Sequence, residues 1–162
     1  MASDTPSMPG AMPESLPQEA IAYAQQFFTA ARTGAVDVLR APLEAGLPSN
    51  LTNENGDTLL MLAAYHGHPE VVKLLLQHGA DPDRLNDRSQ SPLSGAIYKQ
   101  EREVVRLLLG ADANPDLGTP TAWQTTKMFG VTEWEREFAR VRERIDAKKA
   151  KEAEGQAGEP KQ

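Results

Sequence analysis

The sequence predicts an all-α solenoid of stacked helix pairs, with short hairpin-like loops between pairs and a long capping helix at the C-terminal end. Three observations carry this reading. Sliding the chain by 33 residues lays residues 51–83 on 84–116 without a gap, and 13 of the 33 positions are identical. The identities fall where burial would demand them: Leu60 on Leu93, Ala63 on Ala96, and Glu70-Val71-Val72 with Leu74-Leu75-Leu76 on Glu103-Val104-Val105 with Leu107-Leu108-Leu109. Units of this length cannot bury an apolar face alone and must stack on their neighbours. From Thr132 onward, Trp134, Phe138, Val141 and Ile145 recur at spacings of four, three and four among charged residues, which is one apolar stripe on a long helix.

Within each unit the residues supply a cap, a first helix, a tight reversal and a second helix. Thr58 and Ser91 stand where a hydroxyl accepts from the orphan N–H groups of the first helix. Small Ala63, Ala64 and Ala96 let neighbouring helices approach. Gly67 suits the positive φ that ends the first helix, and Pro69 suits the first turn of the second. That second helix presents Val71, Val72, Leu74, Leu75 and Leu76 to a neighbour. Cutting one such leucine to alanine is expected to remove ~2–5 kcal/mol, a large share of the stability of a short array.

Residues 56–83 read GDTLLMLAAYHGHPEVVKLLLQHGADPD. This string resembles the ankyrin repeat, G-x-T-P-L-H-x-A-A…G-H…V-V-x-L-L-L…G-A-D, and the 33-residue period is the length of that repeat. The third unit departs from the pattern. Gln100 replaces the reversal glycine, Asp112 stands where Gly79 stands, and Gly95 lies inside a helix at a cost of roughly 1 kcal/mol relative to alanine. This unit is expected to fray first.

Sliding the other way sets Ala30-Ala31 on Ala63-Ala64, Gly34 on Gly67 and Gly46 on Gly79, so residues 18–50 read as a degenerate first repeat. Pro17 would open its first helix, and Pro42 would kink its second by crowding the carbonyl of Val38. A fourth unit is expected to start at Thr119-Pro120, 28 residues after Ser91, with five loop residues missing. The repeat domain therefore spans 17–150, divided as 17–50, 51–83, 84–116 and a capping unit 117–150. Residues 1–16 and 151–162 are too poor in large apolar groups to offset their ordering entropy and are expected to be disordered tails.

Composition narrows the function. The longest unbroken apolar run, residues 59–65, is far short of the roughly 20 residues that cross a bilayer. The N-terminus has no basic region followed by an apolar stretch, so a cytoplasmic protein with no membrane partner is expected, and the sequon at Asn50 carries no weight. Zero cysteines exclude a disulfide framework and thiolate chemistry. Residues 1–131 hold 15 acidic and nine basic side chains, whereas the remainder holds eight of each. Such an acidic body argues against nucleic acid and favours a basic protein as partner.

Candidate chemistry is sparse. His66-x-His68 lacks the cysteines or carboxylates that would complete four zinc ligands, and His68 falls on the Gly-His of the repeat turn. Asp81-x-Asp83 lacks the remaining spacing of a calcium loop. Lys148-Lys149-x-Lys151 is interleaved with acids and free of aromatics, so it reads as a solvated helix end. No catalytic residue, metal or cofactor is expected. The resemblance implies instead a protein partner held on the concave side by finger tips and the exposed side of the first helices. Carried onto this chain, that surface is Glu54, Asn55, Asp57, Tyr65 and His66, then Asp87, Arg88, Gln90, Tyr98 and Lys99, extended by Arg32 and Thr33. Tyr65 and Tyr98 share a repeat position and form an aromatic ladder or fill gaps between repeats. Met128 continues their row when Gly130 is set on Gly67. Two other functions fit the residues: an escort or assembly chaperone for a basic client, and homo-oligomerisation through the Trp134-Phe138-Val141-Ile145 stripe. That stripe is about two heptads, shorter than coiled coils require, so a cap on a monomer is favoured.

Overall fold

The computed structural model describes residues 18–158. Its helices are α1 (Gln18–Thr33), α2 (Val36–Glu44), α3 (Leu59–Tyr65), α4 (Pro69–Gln77), α5 (Pro92–Tyr98), α6 (Arg102–Gly110), α7 (Ala122–Phe129) and, after a 3-10 turn over Thr132–Trp134, α8 (Glu135–Ala157). Among the described residues, β-pairing is confined to a single bridge between Thr52 and Thr58. The first helices form one layer, α1 on α3, α3 on α5 and α5 on α7. The second helices form the other, α2 on α4, α4 on α6 and α6 on α8. The all-α solenoid of stacked helix pairs is therefore the observed architecture.

Both core copies lie where the repeat places them. Val71, Val72, Leu74 and Leu75 of α4 are buried, as are Val104, Val105, Leu108 and Leu109 of α6, while Leu76 and Leu107 are half-buried. The Thr58 hydroxyl accepts from Met61 N–H at 3.0 Å, and that of Ser91 from Ser94 N–H at 3.1 Å. The α3 and α5 helices thus each start on a satisfied donor.

The reversals explain why glycine stands there. Gly34 and Gly67 have φ of 77° and 72°, and a β-carbon on either would collide with the next repeat, the His68 ring over Gly34 and the Glu101 carboxylate over Gly67. His68 also donates from Nε2 to the carbonyl of Arg32 at 2.7 Å, which gives this histidine a structural role in the turn. The third unit makes the same reversal with Gln100 at φ 57°, and Asp112 takes φ 59° at the end of α6, where a non-glycine residue costs roughly 1–2 kcal/mol.

Adjacent units are tied by bonds that repeat in register. Asn50 Oδ1 accepts from Asp81 N–H at 2.8 Å, and Asp83 Oδ1 accepts from Asn114 N–H at 2.7 Å, so one joint recurs a repeat later. The finger loops also match. Asn53 Oδ1 accepts from Asn55 and Asp57 N–H, and Asn86 Oδ1 accepts from Arg88 and Gln90 N–H. Asn86 Nδ2 then donates across to Asp57 at 2.8 Å, while Asp87 N–H donates to the Asn55 carbonyl at 3.0 Å.

The fourth unit differs from the expected register. Its cap is Thr121, not Thr119, because Thr121 and Gln124 form a reciprocal capping box in which the hydroxyl accepts from Gln124 N–H and Gln124 Oε1 accepts from Thr121 N–H. Thr121 lies 30 residues after Ser91, so the last finger is three residues short instead of five. The α2 helix continues through Pro42 to Glu44.

The stripe is consumed inside the chain. Trp134, Phe138 and Val141 are buried, Ile145 packs at their edge, and the Trp123 ring meets Phe138 edge-on with centroids 5.0 Å apart. Arg144 and Lys148 clamp Asp112 at 2.6 and 2.5 Å, Arg142 pairs with Asp116 at 3.0 Å, and Arg144 donates to the Leu109 carbonyl. These bonds offset the absent glycine at 112. The α8 helix runs on to Ala157 with residues 146–157 exposed, past the boundary at 150 read from composition, because glutamate, lysine and alanine are strong helix formers. The expected tail at 1–16, Pro17 at the expected start of α1, and residues 159–162 lie outside the described residues.

Candidate protein-binding surface

The repeat period aligns side chains into rows along the exposed face of α1, α3, α5 and α7. One row holds Arg32, Tyr65, Tyr98 and Met128, and the next holds Thr33, His66, Lys99 and Phe129. All eight are exposed. Tyr65 and Tyr98 stack with centroids 6.5 Å apart and planes 9° from parallel, the geometry a one-repeat translation imposes on identical residues. Lys99 sets its ammonium over the Tyr65 ring at 5.2 Å.

Beyond Tyr98 the ring contact passes to Phe129, edge-on at 5.3 Å, not to Met128. Met128 keeps its place in the row and stands 70% exposed beside them. Phe129 was not among the residues singled out from sequence. Its signal was Gly130, which aligns with Gly67 and so puts Phe129 on the row of His66 and Lys99.

Between the rings and the last finger lies a groove of about 380 Å³, walled by Tyr65, Tyr98, Met128 and Phe129 with Gly95 on its floor. Gly95 has no side chain to fill this space, and a β-carbon there would lie 3.6 Å from the Tyr65 ring, an ordinary van der Waals contact. A second depression of about 280 Å³ separates Tyr65 and His66 from the finger residues Asn55, Asp57, Arg88 and Gln90.

Glu54, Asn55, Asp87, Arg88 and Gln90 are exposed on the fingers, whereas Asp57 is half-buried and held by Asn86. Thr33 donates its hydroxyl to the Thr29 carbonyl, so part of its capacity is used locally. Partial burial holds the His66 imidazole below its usual range, reinforced by His68, Arg32 and Lys99 nearby. No cluster of three or more metal-ligating side chains occurs among the described residues.

Paired helices in register with an aromatic row along the first-helix layer define a repeat scaffold with a side-chain-rich face. The ankyrin-repeat family model, in three copies, matches residues 27–118, more than half of the chain, and the protein belongs to the ankyrin-repeat family. An ankyrin repeat protein of Pseudomonas aeruginosa is 49% identical over 53 residues, 33% of this chain and 31% of that protein. The human ASB11 ankyrin repeat domain superposes with a TM-score of 0.53 at 27% identity, over 55% of this chain and 40% of that one. The chain thus spans less than half the length of either relative. Ankyrin repeats are protein–protein interaction modules, and no helix among the described residues is long and apolar enough to cross a membrane.

Proposed function

We propose that this chain is a monomeric cytoplasmic adaptor that holds a partner protein on the concave, first-helix face and catalyses no reaction. The observation that carries the reading is the row of Tyr65, Tyr98 and Phe129, whose rings stay 38%, 54% and 42% exposed beside an open groove. Tyrosines that only filled gaps between repeats would be covered by them. Rings held in place by one another bind at little entropic cost, which is why such residues anchor interfaces. Affinity capture from the native cell with wild type and a Tyr65→Ala/Tyr98→Ala variant tests the reading. Loss of specific partners by the variant is expected, and retention of every partner would remove this face as the site.

The burial of Trp134, Phe138 and Val141 works against oligomerisation through α8, because the stripe that would form the seam is already packed on its own chain. Light scattering with and without residues 132–162 tests that alternative. The escort reading for a basic client has less support, since Arg32 and Lys99 stand exposed beside the aromatic row without an ion-pair partner among the described residues.

A further inference from the structure

The chain carries net charge −6, yet the charge around the aromatic row has the opposite sign. His66 and Lys99 occupy equivalent places at the reversal end of two successive first helices, Arg32 stands one position earlier on the first helix before them, and all three are exposed. Among the described residues, no carboxylate lies within ion-pair distance of any of them. Burial and the neighbouring Arg32 and Lys99 favour the neutral form of the His66 imidazole, so Arg32 and Lys99 are the two cations here and His66 is a polar group beside them. Of the nearby carboxylates, Glu101 lies over the Gly67 reversal without pairing with Arg32 or Lys99, Asp57 is held by Asn86, and Glu54 and Asp87 sit on the fingers. The face is therefore graded, with most acids on the finger loops, aromatics in the middle, and Arg32 and Lys99 exposed without an ion-pair partner at the helix ends.

We infer that the partner segment seated on this face is an acidic peptide with one aliphatic or aromatic anchor. The anchor enters the groove over Gly95 between the tyrosines and Phe129, and the carboxylates that flank it meet Arg32 and Lys99, with His66 offering a hydrogen bond beside them. This rests on the protein-binding reading above and gives that guest its chemistry. Complementary charge sets the guest's orientation and its preference more than its raw affinity, while the apolar anchor supplies most of the burial.

The test is to pan a random-peptide phage library on the full chain and measure the enriched peptides by fluorescence anisotropy across ionic strengths. Enriched peptides that are acidic and carry an apolar anchor support the inference, as does weakening with added salt. An Arg32→Glu/Lys99→Glu variant, altered only at exposed unpaired positions, is expected to lose roughly tenfold in affinity for them and to flatten the salt dependence. Enrichment of neutral or basic peptides, no enrichment at all, or unchanged affinity in the charge-reversed variant would overturn it. The two readings separate through Tyr65→Ala/Tyr98→Ala. Peptides that need the tyrosines but show no acidic preference sink only the guest chemistry, whereas peptides indifferent to the tyrosines sink the face itself.

Discussion

Replacing Phe138 with alanine removes the centre of the contact between α8 and the repeats. Its side chain has no exposed surface and meets Trp123 edge-on at 5.0 Å. Full truncation of a buried phenylalanine costs ~3–5 kcal/mol, and the lost aromatic pair favours the upper half of that range. Trp134 and Val141 stay packed, but an ion pair such as Arg142 with Asp116 is about half exposed and worth about 1 kcal/mol at most, too little to replace the lost ring. Against a total stability of about 5–15 kcal/mol, α8 and the last repeat should lose much of their cooperative hold. With a urea m-value of about 2 kcal/mol/M, the midpoint should fall by roughly 2 M. Urea titration followed by circular dichroism at two protein concentrations measures this. A midpoint within ~0.3 M of wild type would refute the packing argument. A shift that depends on protein concentration would show that Phe138 serves a contact between chains.

Two further substitutions probe the face and the latch. Gly95→Ala should raise stability by about 0.5–1 kcal/mol through helix propensity, since the new methyl has room beside Tyr65, and weaken binding by making the groove shallower; a thermal melt and the same anisotropy assay check both, and lower stability would contradict the open floor. Hydrogen bonds from Lys148 and Arg144 hold the Asp112 carboxyl below the usual range, so it contributes stability above the unfolded value near ~3.9 that is lost as pH falls through its folded value. Asp112→Asn should therefore cost about 1 kcal/mol at neutral pH and nothing in strong acid, as urea midpoints across pH will show. Asp83 acts in the opposite sense, because burial raises its pKa and protonation favours the fold, so the comparison is between variant and wild type at each pH.

The repeat core was legible because its signal is periodic: Leu60 with Leu93 and Val71 with Val104 are fixed by spacing alone. Caps at Thr58 and Ser91 were equally local. The last unit was harder, since the Thr119-Pro120 dipeptide imitates Ser91-Pro92 and drew the start two residues early, although Gly130 pointed to Thr121. Asp112 looked like a defect because its partners lie 32 and 36 residues further on, and nothing in the local pattern brings Arg144 and Lys148 to it. Net charge is silent on the face for a related reason. A sum over the body averages the fingers with the reversals, and only stacking brings Arg32, His66 and Lys99 into two adjacent rows of one face.

The joint made by Asn50 and repeated by Asp83 has the same donor and acceptor geometry on each side of residues 51–83. A tandem duplicate of that segment would find a ready-made mate at both seams. The array could thus be lengthened by whole modules, each adding one tyrosine to the row, without redesigning either end.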